Sequence, residues 1–268
     1  MLYDMHCHLD FSDEGVAASS AMHDRIAAFS ATVDPRDYDR VRTLFDDATA
    51  VRIGLGLHPW QASSPDFAAQ VDLFADRVSG CAFIGEVGLD FSVKHMSTRD
   101  LQMEAFDRVV RACVENPVSE NREAPSRGIV SIHAVRAVDE VIDAFERAGV
   151  ICAGCATQPA YAGDRALVFH SFAGTSDQLQ RAIKAGFFFS AGPRMLATKR
   201  GRAYVRAIPV TRLLLETDMP CAAGAAFSAR SWESALEKTL EDICQACGRD
   251  VGEMRDILAE TSARLLGL

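Results

Sequence analysis

The chain lacks the features that mark several large classes of protein. No run stays apolar for the roughly 18 residues that a membrane-spanning helix requires. Asp4 and His6 interrupt the N-terminus before the hydrophobic region of a signal peptide could form, so the expected location is the cytoplasm. That compartment disfavours disulfides for the eight cysteines. A zinc ribbon needs two CxxC pairs about 15–20 residues apart. Cys152/Cys155 and Cys244/Cys247 are separated far more widely. Cys244 and Cys247 fall in a helical stretch and read as core thiols, whereas Cys152 and Cys155 stand in a loop-like stretch where redox or metal chemistry stays open. No GxGxxG follows the first apolar run, which counts against a dinucleotide-binding sheet. Positive charge is also in short supply: 28 Lys and Arg against 37 Asp and Glu leave a net charge of −9. Non-specific affinity for nucleic acid comes largely from cations on phosphate. The balance therefore excludes a strong non-specific binder, but not an enzyme that touches a few phosphates and relies on bound metal ions. Internal repeats, low-complexity segments and interdomain linkers are missing too.

What the chain does have is apolar material in short runs. Residues 2–8, 26–32, 51–57, 82–89, 129–133, 166–172, 187–190 and 212–217 read as strands, with helical patterns such as 99–115 and 137–149 between them. Near-continuous apolar strands separated by helices argue for a parallel sheet covered on both faces. Eight of them in 268 residues predict a single-domain α/β fold, a TIM (β/α)₈ barrel over 1–268. Residues 116–128 and 153–164 read as long surface loops. Ala229–Leu268 reads as two helices divided at Gly248, expected to cover the outside of the barrel.

Polar residues of metal-ligand type gather at the ends of these strands. His6 and His8 end the first, and a period of two turns them to one side while Cys7 turns away. That spacing fits a metal pair and equally two hydrogen-bonding side chains. His58 follows the third strand, Glu86 lies late in the fourth, His133 ends the fifth, His170 lies late in the sixth and Asp218 follows the eighth, with Glu216 facing the same side. Only His23 and His95 fall elsewhere. The C-terminal strand ends are where a (β/α)₈ barrel carries its active site. Glu86 among Ile84, Gly85, Val87 and Gly88 is a carboxylate that is costly to bury unpaired, and its glycines are expected to leave room for a ligand or metal. With His58 set aside, His6, His8, His133 and His170 with Glu86 and Asp218 form a mixed N/O set of four imidazoles and two carboxylates, suited to Zn²⁺, Mn²⁺, Fe²⁺ or Co²⁺ and large enough for two ions bridged by a carboxylate.

The segments DMHCHLDF, GLHPW, IGEVGLDF, SIHA, FHSFAG and LLLETDMP occur in that order over residues 4–220. In this the chain resembles the TatD family of metal-dependent deoxyribonucleases, within the amidohydrolase-like barrels. The resemblance implies two divalent ions, with zinc, manganese or magnesium as candidates. It implies that His6, His8 and Asp218 hold one ion, and that Glu86 bridges it to a second held by His133 and His170. Asp218 and Glu86 would be the catalytic carboxylates, and His58 would lie behind the ligands or on phosphate. It also implies DNA as substrate, single strands or ends. The sequence departs from the family pattern at Arg136, three residues after His133 rather than two, and at Thr261 and Ser262, where the family often has asparagine.

The stretch from Pro193 to Arg212 carries Arg194, Lys199, Arg200, Arg202, Arg206 and Arg212 without an acidic residue. Arg200 and Arg202 are expected on DNA phosphate, against the plainer reading of a solvated basic face. Trp60 and Tyr161 offer rings on which a base could stack. A hydrolase acting on a small amide, ester or lactone is the alternative enzyme, since fold does not fix substrate. A metal-binding scaffold without turnover is the non-enzymatic one.

Overall fold

A computed structural model describes residues 1–118, 128–151 and 159–268. In chain order the strands are β1 (Leu2–Cys7), β2 (Ile26–Ala31), β3 (Val51–Leu57), β4 (Phe83–Asp90), β5 (Ile129–Val135), β6 (Tyr161–Ala162), β7 (Arg165–His170), β8 (Phe188–Ala191) and β9 (Leu213–Leu215). The helices are α1 (Gly15–Ala21), α2 (Tyr38–Leu44), α3 (Phe67–Arg77), α4 (Arg99–Glu115), α5 (Val138–Arg147), α6 (Ser176–Lys184), α7 (Pro193–Leu196), α8 (Lys199–Ala207), α9 (Ala229–Cys247) and α10 (Val251–Leu266). Eight strands pair in parallel in the order β1-β2-β3-β4-β5-β7-β8-β9, and the two-residue β6 lies antiparallel on β7. Ladder pairing ends at Leu215, but the following backbone closes the ring. The Asp218 N–H donates to the His6 carbonyl (2.9 Å), and the His8 N–H to the Met219 carbonyl (2.8 Å). The result is the nearly closed (β/α)₈ barrel that the strand count predicts.

Period-two alternation sorts the core into two layers. On β2, Ala27, Phe29 and Ala31 join an interior cluster with Val168, Phe188 and Leu214, while Ile26 and Ala28 belong to the layer under the helices. The C-terminal helices divide their work. Trp232, Leu236 and Leu240 of α9 pack on the outside as expected. Leu265 and Leu266 of α10 instead enter the interior cluster, and the Arg52 side chain at the start of β3 donates to the Leu266 carbonyl (3.1 Å). The end of α10 therefore plugs the N-terminal mouth. Two buried leucines are worth about 1.5–3 kcal/mol each there, which explains why that helix leaves the outer ring.

The basic stretch is not one helix. Gly192 and Pro193 open α7, and Thr198 then caps α8 by accepting the Gly201 N–H. Arg212 sits at the opposite end of the barrel from α7, before β9, and its guanidinium donates to the Ile183 carbonyl (2.7 Å). Most of the loop expected at 116–128, and the Cys152/Cys155 pair, lie outside the described residues. Among the described residues no helix is long and apolar enough to cross a membrane.

Candidate metal centre

Six strand ends bring the site together. The β1–β2 pairing slips between Asp4 and Cys7, and the His6 and His8 rings meet edge to face with centroids 5.0 Å apart. Cys7 turns outward, its thiol toward the Phe29 carbonyl. Strand β4 is irregular between Ile84 and Val87 on both its edges. There the Glu86 N–H leaves the ladder and donates to the Thr32 carbonyl (2.7 Å) across β3. Gly56 allows this crossing, because a Cβ on it would stand 1.7 Å from the Thr32 oxygen. The irregularity aims Glu86 into the barrel mouth. Asp218 holds φ at +57°, a left-handed conformation that aspartate tolerates better than most residues.

The Glu86 carboxylate is the hub. His133 Nδ1 lies 2.7 Å from Oε1, His170 Nε2 3.1 Å and His58 Nε2 3.3 Å, while Oε2 is 3.4 Å from His8 Nε2 and 3.5 Å from His6 Nε2. Asp218 Oδ1 stands 3.5 Å from His8 Nε2 and 3.9 Å from His6 Nε2. The His6 and His170 rings stack at 3.9 Å. All of these groups but Asp218 are buried, and that residue is partly so.

The second nitrogen of each ring fixes what the first can do. His8 Nδ1 faces the Ala31 carbonyl at 2.9 Å and so carries a proton, leaving Nε2 between two carboxylates. Burial pushes His6 down to about 4, so its ring is neutral, and its buried Nε2 has no hydrogen-bond partner. Burial also opposes charge on His8, but Asp218 and Glu86 outweigh it and raise His8 to about 10. Burial pushes Glu86 up, yet the imidazoles led by His58 and His170 hold it well below the usual carboxylate range. A lone pair wedged between anions calls for a positive charge. A divalent cation supplies one, and the donor set of imidazoles and carboxylates suits it. Among the described residues, three groups have donor atoms within 4.8 Å of one another: His6, His8 and Asp218; His6, Glu86 and His170; and His58, Glu86 and His133. His58 differs from the others. Its Nδ1 accepts the Trp60 N–H (3.2 Å), so Nε2 keeps its proton and donates to Glu86.

The centre opens into a cleft whose wall includes Phe11, Trp60, Gln61, Arg194 and Cys221. The profile of the family described as TatD related DNase matches residues 3–267. The chain belongs to this family. The human protein named deoxyribonuclease TATDN3 is 23% identical over 282 residues, covering 98% of this chain and 94% of its own. A metal-dependent hydrolase of Bacillus subtilis, YabD, is 24% identical over 278 residues, covering 99% and 98%. The crystal structure of the Escherichia coli TatD homologue YjjV matches with a TM-score of 0.76 at 19% identity, covering 100% of this chain and 98% of that one.

In this TatD-family barrel the structure brings His6, His8, His58, Glu86, His133, His170 and Asp218 to one point, though they span more than 200 residues of sequence. It places Arg200 exposed on α8 and ties the Arg202 guanidinium to the Leu196 carbonyl, both outside the residues lining the cleft. Arg194 lines it instead, 3.5 Å from Asp218 Oδ2. Tyr161 lies on β6 opposite Ala166, near the start of β7, and so at the far end from the cleft. The glycines beside Glu86 serve the backbone rather than a ligand. A Cβ on Gly88 would stand 2.0 Å from the His133 carbonyl oxygen, and one on Gly85 2.9 Å from Ser131 Cβ. Cys244 and Cys247 join no group of candidate metal donors among the described residues. Asp90 is a site residue that sequence reasoning passed over. Its Oδ2 accepts the Trp60 indole N–H (2.7 Å) and lies 3.4 Å from His133 Nε2. The signal was available, since Asp90 follows Glu86 by four strand positions and Gly88 by two. Glu216 is buried 3.6 Å from His170 Nδ1 and accepts the Ser190 hydroxyl.

Proposed function

We propose that the protein is a divalent-metal-dependent deoxyribonuclease that hydrolyses phosphodiester bonds with a metal-activated water. The observation that carries the reading is Glu86, whose two carboxylate oxygens lie within 3.5 Å of imidazole nitrogens of His6, His8, His58, His133 and His170. In this reading His6, His8 and Asp218 would hold one ion and His133 and His170 a second, with Glu86 available to both. Bound ions lower the pKa of a water and offset charge on the phosphodiester. The chain's own groups do the rest. Asp218, the least buried of the donors and open to the cleft, orients the attacking water and takes its proton. His58 and Ser131 hold Glu86 and His6 in place by hydrogen bonds at 3.3 and 2.7 Å. Arg194, 3.5 Å from Asp218, would meet a phosphate oxygen entering the cleft there.

The test is release of nucleotides from a short single-stranded DNA by the purified chain with Mg²⁺, Mn²⁺ or Zn²⁺, its metal content measured in parallel. Cleavage that depends on metal and is lost in Asp218→Ala supports the reading. A metal-loaded protein that leaves DNA intact and hydrolyses small esters or amides overturns it.

A further inference from the structure

Trp60 presents half of its surface to solvent, yet it is firmly held. Its indole N–H donates to Asp90 (2.7 Å), and its ring meets His58 edge-on at 4.7 Å. His95, from the segment after β4, lies parallel to it at 5.1 Å and 10°. The ammonium of Lys94 lies over the indole, 5.6 Å from its centroid. The same segment exposes Val93 (85%) and Met96 (46%). His95 and Lys94 are in none of the candidate metal groups, nor is Trp60, although Trp60 lines the metal cleft.

From this arrangement we infer that Trp60, backed by His95 and flanked by Lys94, is a stacking subsite for an unpaired nucleobase of the substrate strand. The inference rests on the nuclease reading and deepens it. An aromatic ring whose polar atom is already satisfied loses little freedom when a base settles on it. Base–aromatic stacking is tolerant of sequence, because every base has a π-face. A base inside a duplex is already stacked on its neighbours, so a single strand or a frayed end is what this ring can take. Lys94 supplies the cation that the adjoining phosphate requires, in a chain whose net charge of −9 gives no general attraction. Asp90 also ties the platform to the metal centre, since the oxygen that accepts from Trp60 lies 3.4 Å from His133 Nε2.

The chain has two tryptophans and Trp232 is fully buried, so a change in exposed-indole emission reports Trp60. The experiment titrates the full-length, metal-loaded protein with a dye-labelled phosphorothioate oligothymidine that resists hydrolysis. Anisotropy reads binding and tryptophan emission reads stacking. We expect quenching by the single strand and none by a blunt hairpin of equal length or by inorganic phosphate. Trp60→Leu removes the quenching and weakens single-strand binding by about 5- to 150-fold. Trp60→Phe keeps a ring and retains most of the affinity, which separates stacking from damage to the fold. Binding with unchanged emission overturns the subsite, as does an oligonucleotide that fails to bind, or a Trp60→Leu variant that binds as tightly as the parent. Cleavage of unmodified DNA is assayed separately. Cleavage without quenching removes only the stacking subsite, whereas no cleavage under any metal removes the nuclease reading itself.

Discussion

Asp218 is held by its backbone as much as by its side chain. Its N–H is given to the His6 carbonyl and its φ is +57°, so the carboxylate is fixed facing His8 at 3.5 Å. Asp218→Asn keeps the shape and removes the base. At saturating metal, kcat falls by about 10²–10⁴-fold with the circular dichroism spectrum unchanged. Arg194 makes a different prediction. It is largely exposed, and its pairing with Asp218 at 3.5 Å is the kind of surface contact that contributes little to stability. Arg194→Ala therefore leaves the melting temperature in place, raises KM for DNA and lowers the salt slope of binding by about one. The carboxylates also set a pH dependence. Because Asp218 and Glu86 raise His8 to about 10, a proton occupies at neutral pH the place a cation takes. Metal binding then releases protons, and metal affinity rises as pH goes from about 6 to about 9, read by calorimetry in buffers of different ionisation enthalpy. The ligand-type residues were legible in the sequence because strand ends converge in a barrel whatever the loops do. Arg194 was visible only as one cation in a basic run. Its neighbours Arg200 and Arg202 are alike in sequence, and only the break between α7 and α8 puts Arg194 in the cleft.

Strands carry the site, and their irregularities decide where it points. The close approach of β4 to β5 depends on Gly88, whose φ of +145° and contact with the His133 carbonyl leave no space for a Cβ. Gly88→Ala is expected to destabilise the fold by about 1–3 kcal/mol or more through overpacking and a disfavoured φ. It also displaces the His133 backbone, so metal content falls along with the denaturation midpoint. Equal metal content in a destabilised variant would separate strand packing from the site. The eight parallel strands were readable from apolar runs, with ends that moved by at most two residues. The last ends at Leu215, not at residue 217, because Thr217 turns its N–H to Asp4 and leaves the ladder. The two-residue β6 is too short to leave a periodic pattern, and the division of the basic stretch rests on Thr198 acting as a cap. The entry of α10 into the barrel was hidden because Leu265 and Leu266 have the same spacing whether a helix covers a sheet or plugs it.

At the scale of the molecule, the barrel closes where the metal centre sits. Asp4, two residues before His6, accepts the Thr217 N–H (3.0 Å), the Thr217 hydroxyl (2.6 Å) and the Trp232 indole N–H (2.7 Å). This tie joins β1, the segment after β9 and α9 directly beneath His6 and Asp218. A cation held by those two residues would bridge the same seam from above. Removing it leaves His8 between Glu86 and Asp218 and a buried His6 Nε2 without a partner, so the seam is where stability is lost. A ligand present at 100 times its dissociation constant stabilises the native state by about 2.7 kcal/mol, and each kcal/mol shifts the midpoint of a domain of this size by roughly 2–4 °C. Stripping the protein with a chelator is therefore expected to lower its melting temperature by roughly 5–10 °C, and Mn²⁺ or Zn²⁺ to restore it. His6→Ala breaks the link at its upper side and reduces the response to chelator to what the ion at His133 and His170 contributes. Asp4→Asn weakens the lower tie, lowering the midpoint while leaving the response to chelator intact. If His6→Ala kept the full chelator response, the ion would be held by His133 and His170 without the first strand, and closure of the barrel would be independent of metal.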